Sequence, residues 1–224
     1  MTTETATPLW SVPSTFATET IGEAWLAVAA RILESGRASR YDGLPVLEIA
    51  QATLDVAAPD PDDPLIARHA DPERLDWMRR NFVDPDRVAA LGDARSYASR
   101  LHDYGETGRD QLDWVVERLS ADPTSRSATI TTFEPLLDTS YIPCVSMLDF
   151  WIPERAIELM VYAHSIDFGA KGYANLVQLA ELQSQVAERL GRPVGRLTFV
   201  VKSAHIYDTE AAFMRGALAQ AAAG

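Results

Sequence analysis

The chain has 224 residues, 47% of them hydrophobic and 23% charged, a composition that suits one sizeable globular core and leaves little room for two. Its formal net charge of -12, from 20 basic and 32 acidic side chains, repels phosphate backbones and argues against a nucleic-acid binder, although one or two local arginines can still hold a nucleotide's phosphate. No apolar run approaches the roughly 20 residues of a membrane span, and no basic, then apolar leader opens the chain. A single cysteine permits no internal disulfide, so the expected location is the reducing cytoplasm. His69, His102, His164 and His205 lack metal-ligand spacing, and no metal site is expected.

Residues 1–19, rich in Thr, Ser, Pro and Ala, read as a poorly ordered arm, and residues 20–224 as a single domain without repeats or linkers. Trp25, Leu26, Ala29, Ile32 and Leu33 recur at helical spacing before Gly36. Residues 46–50 and 52–56 alternate like two strand pieces, and the acidic, proline-rich run 58–64 reads as a surface loop. Asp71 and Pro72 open a helix as N-cap and first position. Leu112, Val115, Val116 and Leu119 give a further helix one apolar face, and Ser127 to Phe133 is a β-branched strand.

Next comes Tyr141 to Phe150, which holds the lone cysteine. Pro143 cannot donate to a sheet ladder and is expected at a strand's first residue, with Cys144 at its mouth. Read alone, Cys144 is either a small buried hydrophobe or a thiol that meets a ligand. Ile157 to Tyr162 is expected to pair back as a hairpin, a long helix to run from about Tyr173 to Leu190, a last strand to span Arg196 to Val201, and a terminal helix Thr209 to Gln220. The pattern is α+β, mostly antiparallel strands with helices on one side.

Several runs occur in a telling order: Ser96 to Gly105, Asp110-Gln111-Leu112, Asp122 to Arg126, Pro143-Cys144, His164-Ser165-Ile166-Asp167, Asn175, and His205-Ile206-Tyr207. Together they resemble the thymidylate synthases and the related pyrimidine-nucleotide (CMP or dCMP) hydroxymethylases, over roughly residues 90 to 208. The resemblance implies a thymidylate-synthase-like fold, methylenetetrahydrofolate as cofactor, and Cys144 as the nucleophile that adds to pyrimidine C6 and so makes C5 reactive. A free thiol titrates near ~8.5 and needs nearby positive charge or donors to react at neutral pH. The family's arginine beside it is aligned with His164, which could serve if protonated. By the same resemblance Tyr97 and Asp167 join the catalytic group, with Asp167 ordering the folate and its waters. Ser165 and Arg126 hold the phosphate, Arg126 reaching in from the partner of a homodimer; Asn175 pairs with the base, and His205 and Tyr207 with the sugar. Each residue read singly has a plainer role: Ser165 and Asp167 as turn caps, Asn175 as a cap, His205 and Tyr207 as packing, Arg126 as a solvated turn.

The chain departs from the family at the anion site. The usual arginine pair reads Arg126-Ser127, and the arginine before the serine is His164. Losing two cations weakens binding of a dianionic phosphate by about 2–5 kcal/mol unless Arg37, Arg40 or Arg100 compensates or the substrate differs. Val145 follows the nucleophile, where the family commonly has histidine, and Glu73 and Glu106 are candidates for its general-base glutamate. The chain ends soon after Tyr207, which favours an open site and hydroxymethyl transfer; Asn175 suits uracil and tolerates cytosine. The expected activity is therefore folate-dependent one-carbon transfer to pyrimidine C5, of the hydroxymethylase type, with deoxyuridylate methylation or a non-catalytic nucleotide-binding homologue as alternatives. An unrelated cysteine hydrolase has no recognisable motif around Cys144.

Overall fold

The structure, a computed structural model, describes residues 9–139 and 141–223. A single 3-10 turn precedes β1 (Ser14–Thr18), and Thr20 then caps α1 (Ile21–Ser35). The Thr20 hydroxyl accepts from the Glu23 amide while the Glu23 carboxylate accepts from the Thr20 amide, a reciprocal pair that satisfies two free donors of the first turn. β2 (Arg37–Tyr41) and β3 (Leu44–Val56) form a hairpin through Asp42 and Gly43, both with φ in the left-handed region (49° and 78°). Asp-Gly favours this two-residue turn because both central residues need positive φ. α2 (Pro64–His69) and α3 (Pro72–Val83) each begin with an aspartate cap and a first-turn proline.

A short hairpin of β4 (Arg87–Val88) and β5 (Ala94–Arg95) leads to α4 (Tyr97–His102) and α5 (Gln111–Ala121). Then come β6 (Ala128–Thr131), β7 (Val145–Trp151), β8 (Ile157–Ala163), β9 (Ile166–Asp167), α6 (Gly172–Arg189), β10 (Val194–Tyr207) and α7 (Ala211–Ala223). The main sheet runs β1-β3-β10-β8-β7-β6, with β2 added on β3 and β9 on β10. Its antiparallel ladders are β2/β3, β3/β10, β6/β7 and β7/β8, and its parallel ladders β1/β3, β8/β10 and β9/β10. This is the expected α+β architecture with a mostly antiparallel sheet.

Leu197, Phe199 and Val201 of β10, Leu159 and Val161 of β8, and Leu148 and Phe150 of β7 are fully buried. They belong to one core with Trp25, Val28 and Ile32 of α1 and Leu176, Leu179 and Val186 of α6. The alternate side chains point the other way, as the strand period requires, and Trp151 and Met160 are left 41% and 46% exposed on that second face.

The sequence expectations need correction in four places. Residues 14–18, expected within the disordered arm, pair in parallel register with residues 52–56; the first eight residues of that arm lie outside the described residues. The two strand pieces at 46–50 and 52–56 are one strand that changes step at Gln51, whose φ is 53°, so the buried set passes from Val46 and Ile49 to Ala52, Leu54 and Val56. Asp63, read as a solvated loop residue, is buried and accepts from the Gly22, Leu65 and Ile66 amides, which ties α2 to α1. The last strand continues six residues past Val201 because β3 is long enough to pair with it as far as Tyr207.

Candidate active site

Cys144 lies one residue before β7, a half-buried free thiol whose carbonyl accepts from the His164 amide at 3.1 Å. Pro143 therefore sits in the approach to the strand, which begins at Val145. The Val145 amide donates to the Tyr97 hydroxyl at 3.0 Å, and the Tyr97 ring stacks on Phe82 with centroids 4.4 Å apart. Tyr97 thus props the backbone next to the thiol from beneath, at the first position of α4.

The opposite wall comes from β9 and the end of β10, held side by side by a parallel ladder. Ser165 Oγ lies 3.3 Å from His205 Nδ1, both residues being buried. The Tyr207 ring meets His205 edge-on at 5.1 Å, and Tyr41 reaches in from β2 to within 5.0 Å of His205 and 6.4 Å of Tyr207. Burial pushes the His205 pKa down to about 4, so its imidazole is neutral at pH 7. Asp167 Oδ1 accepts from the Gly169 and Ala170 amides at 2.9 and 3.2 Å, closing the turn into α6. Asn175, one turn into α6, donates to the Lys171 carbonyl at 2.9 Å.

Two polar atoms in this wall are buried without a hydrogen-bond partner among the described residues, Asn175 Oδ1 and His205 Nε2. Leaving such an atom unpaired costs about 1–3 kcal/mol, and each keeps unused hydrogen-bonding capacity. The phenols of Tyr41, Tyr97 and Tyr141 are held above their ordinary range, first by burial and next by the negative charge of the Cys144 thiolate. Burial and the Asp167 carboxylate push Tyr207 up to about 12. All four rings therefore stay protonated as hydrogen-bonding groups around the sulfur. Burial raises the thiol's own pKa, Lys171 draws it down, and Asp167 pushes it up.

Burial carries Asp167 from 3.8 up to about 6. Its folded pKa exceeds its unfolded one, so ionised Asp167 destabilises the fold; the cost is absent below the unfolded pKa, grows with pH, and is complete above the folded pKa. Asp167→Asn keeps the Oδ1 acceptor and is expected to raise stability at pH 8 by about 1–3 kcal/mol, with no gain at pH 3.5. Urea midpoints of the two proteins at both pH values check this.

Other expected residues are elsewhere or otherwise engaged. Arg126 is apart from the thiol, in a groove on the uncovered sheet face with Asp149, Trp151, Glu158 and Met160. Burial and neighbouring Lys202 lower the His164 pKa, which disfavours the protonated form in which it could stand in for an arginine. Of the three compensating arginines, Arg100 is 2% exposed and bound to Asp138, and Arg37 pairs with Glu48. Arg40 follows the strand alternation to the face opposite Tyr41 and donates to the Gly43 carbonyl. Glu106 is an exposed partner of Arg87 and Glu73 sits in the exposed first turn of α3. The residues the sequence reading missed are Tyr41, Asp42, Tyr141 and Lys171; the Asp42-Gly43 hairpin signal was the one local clue to the first two.

A sequence model of the family described as thymidylate synthase matches residues 72–223. A protein of Methanosarcina mazei named "Putative thymidylate synthase" is 36% identical over 139 residues, 61% of this chain and 62% of that protein. One of the same name from Methanothermobacter marburgensis is 29% identical over 84% of this chain and 90% of its own length. The deoxyuridylate hydroxymethyltransferase of Bacillus phage SP01 is 35% identical over 44% of this chain and 27% of its own. The chain thus spans about six tenths of the Methanosarcina relative it matches.

Proposed function

The chain belongs to the thymidylate synthase family, and we propose on that footing that it transfers a one-carbon unit to C5 of a pyrimidine nucleotide through an adduct between Cys144 and C6. The observation that carries this reading is the pair of buried atoms without a hydrogen-bond partner among the described residues, Asn175 Oδ1 on α6 and His205 Nε2 on β10. A base edge bearing an N–H supplies the first, and a sugar hydroxyl the second. Cys144 Sγ, as thiolate, would form the bond to C6, and the electron pair displaced to C5 would take up the one-carbon unit; loss of the C5 proton with departure of the carrier would leave an exocyclic methylene, and addition of water to it with expulsion of the sulfur would give the hydroxymethyl product. Tyr97 holds the backbone beside the sulfur, and Ser165 with Tyr207 lines the sugar and phosphate end.

Methylenetetrahydrofolate, when bound, supplies the one-carbon unit at the formaldehyde level. The residues present fit such a group: Asp167 uses one oxygen on backbone amides and has its other oxygen without a partner among the described residues, and the Trp77 indole lies against Lys171 beside it. These suit the donors and the flat ring of a pterin.

The same reading makes the protein a cytoplasmic homodimer, joined by the uncovered sheet face so that Arg126 of one copy reaches the phosphate end of the other's pocket. Exposed Trp151 and Met160 beside an Arg126 that has no ion pair among the described residues support it. No helix among the described residues is long and apolar enough to cross a membrane.

Hydroxymethyl transfer is preferred, in line with the name of the phage relative; methyl transfer, in line with the names of the archaeal ones, is the second reading. Incubation with methylenetetrahydrofolate and C5-tritiated uracil and cytosine nucleotides tests both. Tritium release with a hydroxymethylated product and no dihydrofolate supports the first. Release with dihydrofolate formation selects the second, and no release from any nucleotide defeats both.

A further inference from the structure

The backbone that follows Cys144 does not run as a plain ladder. Val145 faces Ala163 while Met147 faces Tyr162, so β7 carries one residue more than β8 across this step. Such a β-bulge bends its strand and re-aims the side chains beside it. It also leaves backbone groups that the ladder cannot pair, and buried ones need partners elsewhere. Val145 is fully buried. On its other flank β6 ends at Thr131, paired with Met147, so Val145 lies beyond the last rung.

Side chains stand in for the missing strand. The Val145 amide donates to the Tyr97 hydroxyl at 3.0 Å, and the Val145 carbonyl accepts from the Thr132 hydroxyl. The Ser146 carbonyl accepts from the Thr132 amide at 3.2 Å and from the Thr131 hydroxyl at 2.9 Å. Toward β8, the Cys144 carbonyl accepts from the His164 amide at 3.1 Å.

Thr132 is itself held firmly. It is 1% exposed, and its carbonyl accepts from Arg100 Nη1 at 2.8 Å. Gln111, the first residue of α5, fixes the end of β6 just before it. The Gln111 Nε2 donates to the Thr131 carbonyl at 2.7 Å and the Arg100 carbonyl at 2.9 Å, and its Oε1 accepts from the Thr131 amide at 3.2 Å. α4 and β6 are thus tied together, and between them they hold both backbone polar groups of Val145.

We propose that Thr132 is a positioning residue for Cys144, its hydroxyl locking the bulge so that the residue bearing the thiol keeps one backbone setting. A nucleophile misplaced by about 1 Å loses up to about a hundredfold in rate, so a lock one residue away bears on turnover more than on binding. The effect on turnover rests on the proposed reaction; the effect on the backbone rests on the fold alone.

The test compares Thr132→Val, which keeps the shape and removes the hydroxyl, with Thr132→Ser, which keeps the donor. Thr129→Val is the control, since that hydroxyl of the same strand goes to Asp149 at 2.8 Å. Hydrogen exchange read by mass spectrometry, without nucleotide or folate, is expected to quicken about three- to tenfold over residues 144–148 in Thr132→Val and to stay unchanged in α1. Tritium release from the best pyrimidine nucleotide is expected to show kcat lowered about ten- to a hundredfold and KM within about threefold. Thr132→Ser is expected to restore both readings, and Thr129→Val to alter neither. Unchanged exchange over 144–148 overturns the proposal, as does a loss of kcat that Thr132→Ser does not repair or that Thr129→Val shares. Turnover by the wild type with kcat unmoved in Thr132→Val also overturns it and keeps the proposed reaction. Quickened exchange confined to 144–148, with no tritium release from any nucleotide by the wild type, keeps the lock and removes the reaction.

Discussion

Alanine in place of Cys144 is expected to reduce tritium release from the best pyrimidine nucleotide at least ~10⁴-fold while nucleotide affinity changes less than about threefold. The asymmetry follows from the geometry. Ser165, Asn175, His205 and Tyr207, which bind base and sugar under the proposed reaction, are held by β9, β10 and α6 and take no support from the sulfur. The nucleophile alone makes the bond that activates C5. Isothermal titration with nucleotide, beside the tritium assay, separates the two effects. A Cys144→Ala protein that still turns over rejects the covalent route. Binding without turnover in both wild type and variant selects a nucleotide-binding protein instead.

The largest effect on stability is expected at Arg100. Its guanidinium is 2% exposed and donates to Asp138 at 2.8 and 2.7 Å and to the Thr132 carbonyl at 2.8 Å, with Glu134 3.9 Å away. Arg100→Met fills much of the volume but leaves two buried carboxylates with less compensation, which costs about 3–5 kcal/mol. Urea unfolding should show a lower midpoint with the slope unchanged. Asp138→Asn in the same protein removes one uncompensated charge and should recover part of the loss, as coupled partners do. The segment that Arg100 ties down also reaches the candidate site, because the Thr132 hydroxyl donates to the Val145 carbonyl next to Cys144. Turnover should therefore fall in Arg100→Met even at temperatures where it remains folded.

Arg100 also shows where reading a linear sequence stops. As a letter it is a spare cation, a candidate to replace a lost phosphate ligand. In the folded chain it is committed to Asp138, and Arg37 to Glu48, because α4 and the β2/β3 hairpin bring those carboxylates alongside. Charge availability depends on distance and desolvation in three dimensions, and neither has a local signal.

Local features were legible for the opposite reason. The helical spacing of Leu176, Leu179 and Val186, the Asp71-Pro72 start of α3, and the alternation of Leu197, Phe199 and Val201 each depend on a few successive residues, and all appear as expected. The order of Pro143-Cys144, Ser165, Asp167, Asn175, His205 and Tyr207 is likewise a one-dimensional pattern, and it led to the family. The far ends of the long strands were not legible. Tyr41 meets His205 and Tyr207 only because β3 continues past the left-handed Gln51 to pair with β10 and carries β2 along its edge. Sheet register is set by many weak contacts summed across the core, and no short stretch contains them. Tyr97 and Tyr207, like Cys144, were thus written in the order of the chain, whereas Tyr41, which no local pattern singled out, was brought to His205 and Tyr207 by the packing of β2 on β3 and of β3 on β10, because register is a sum over the whole sheet.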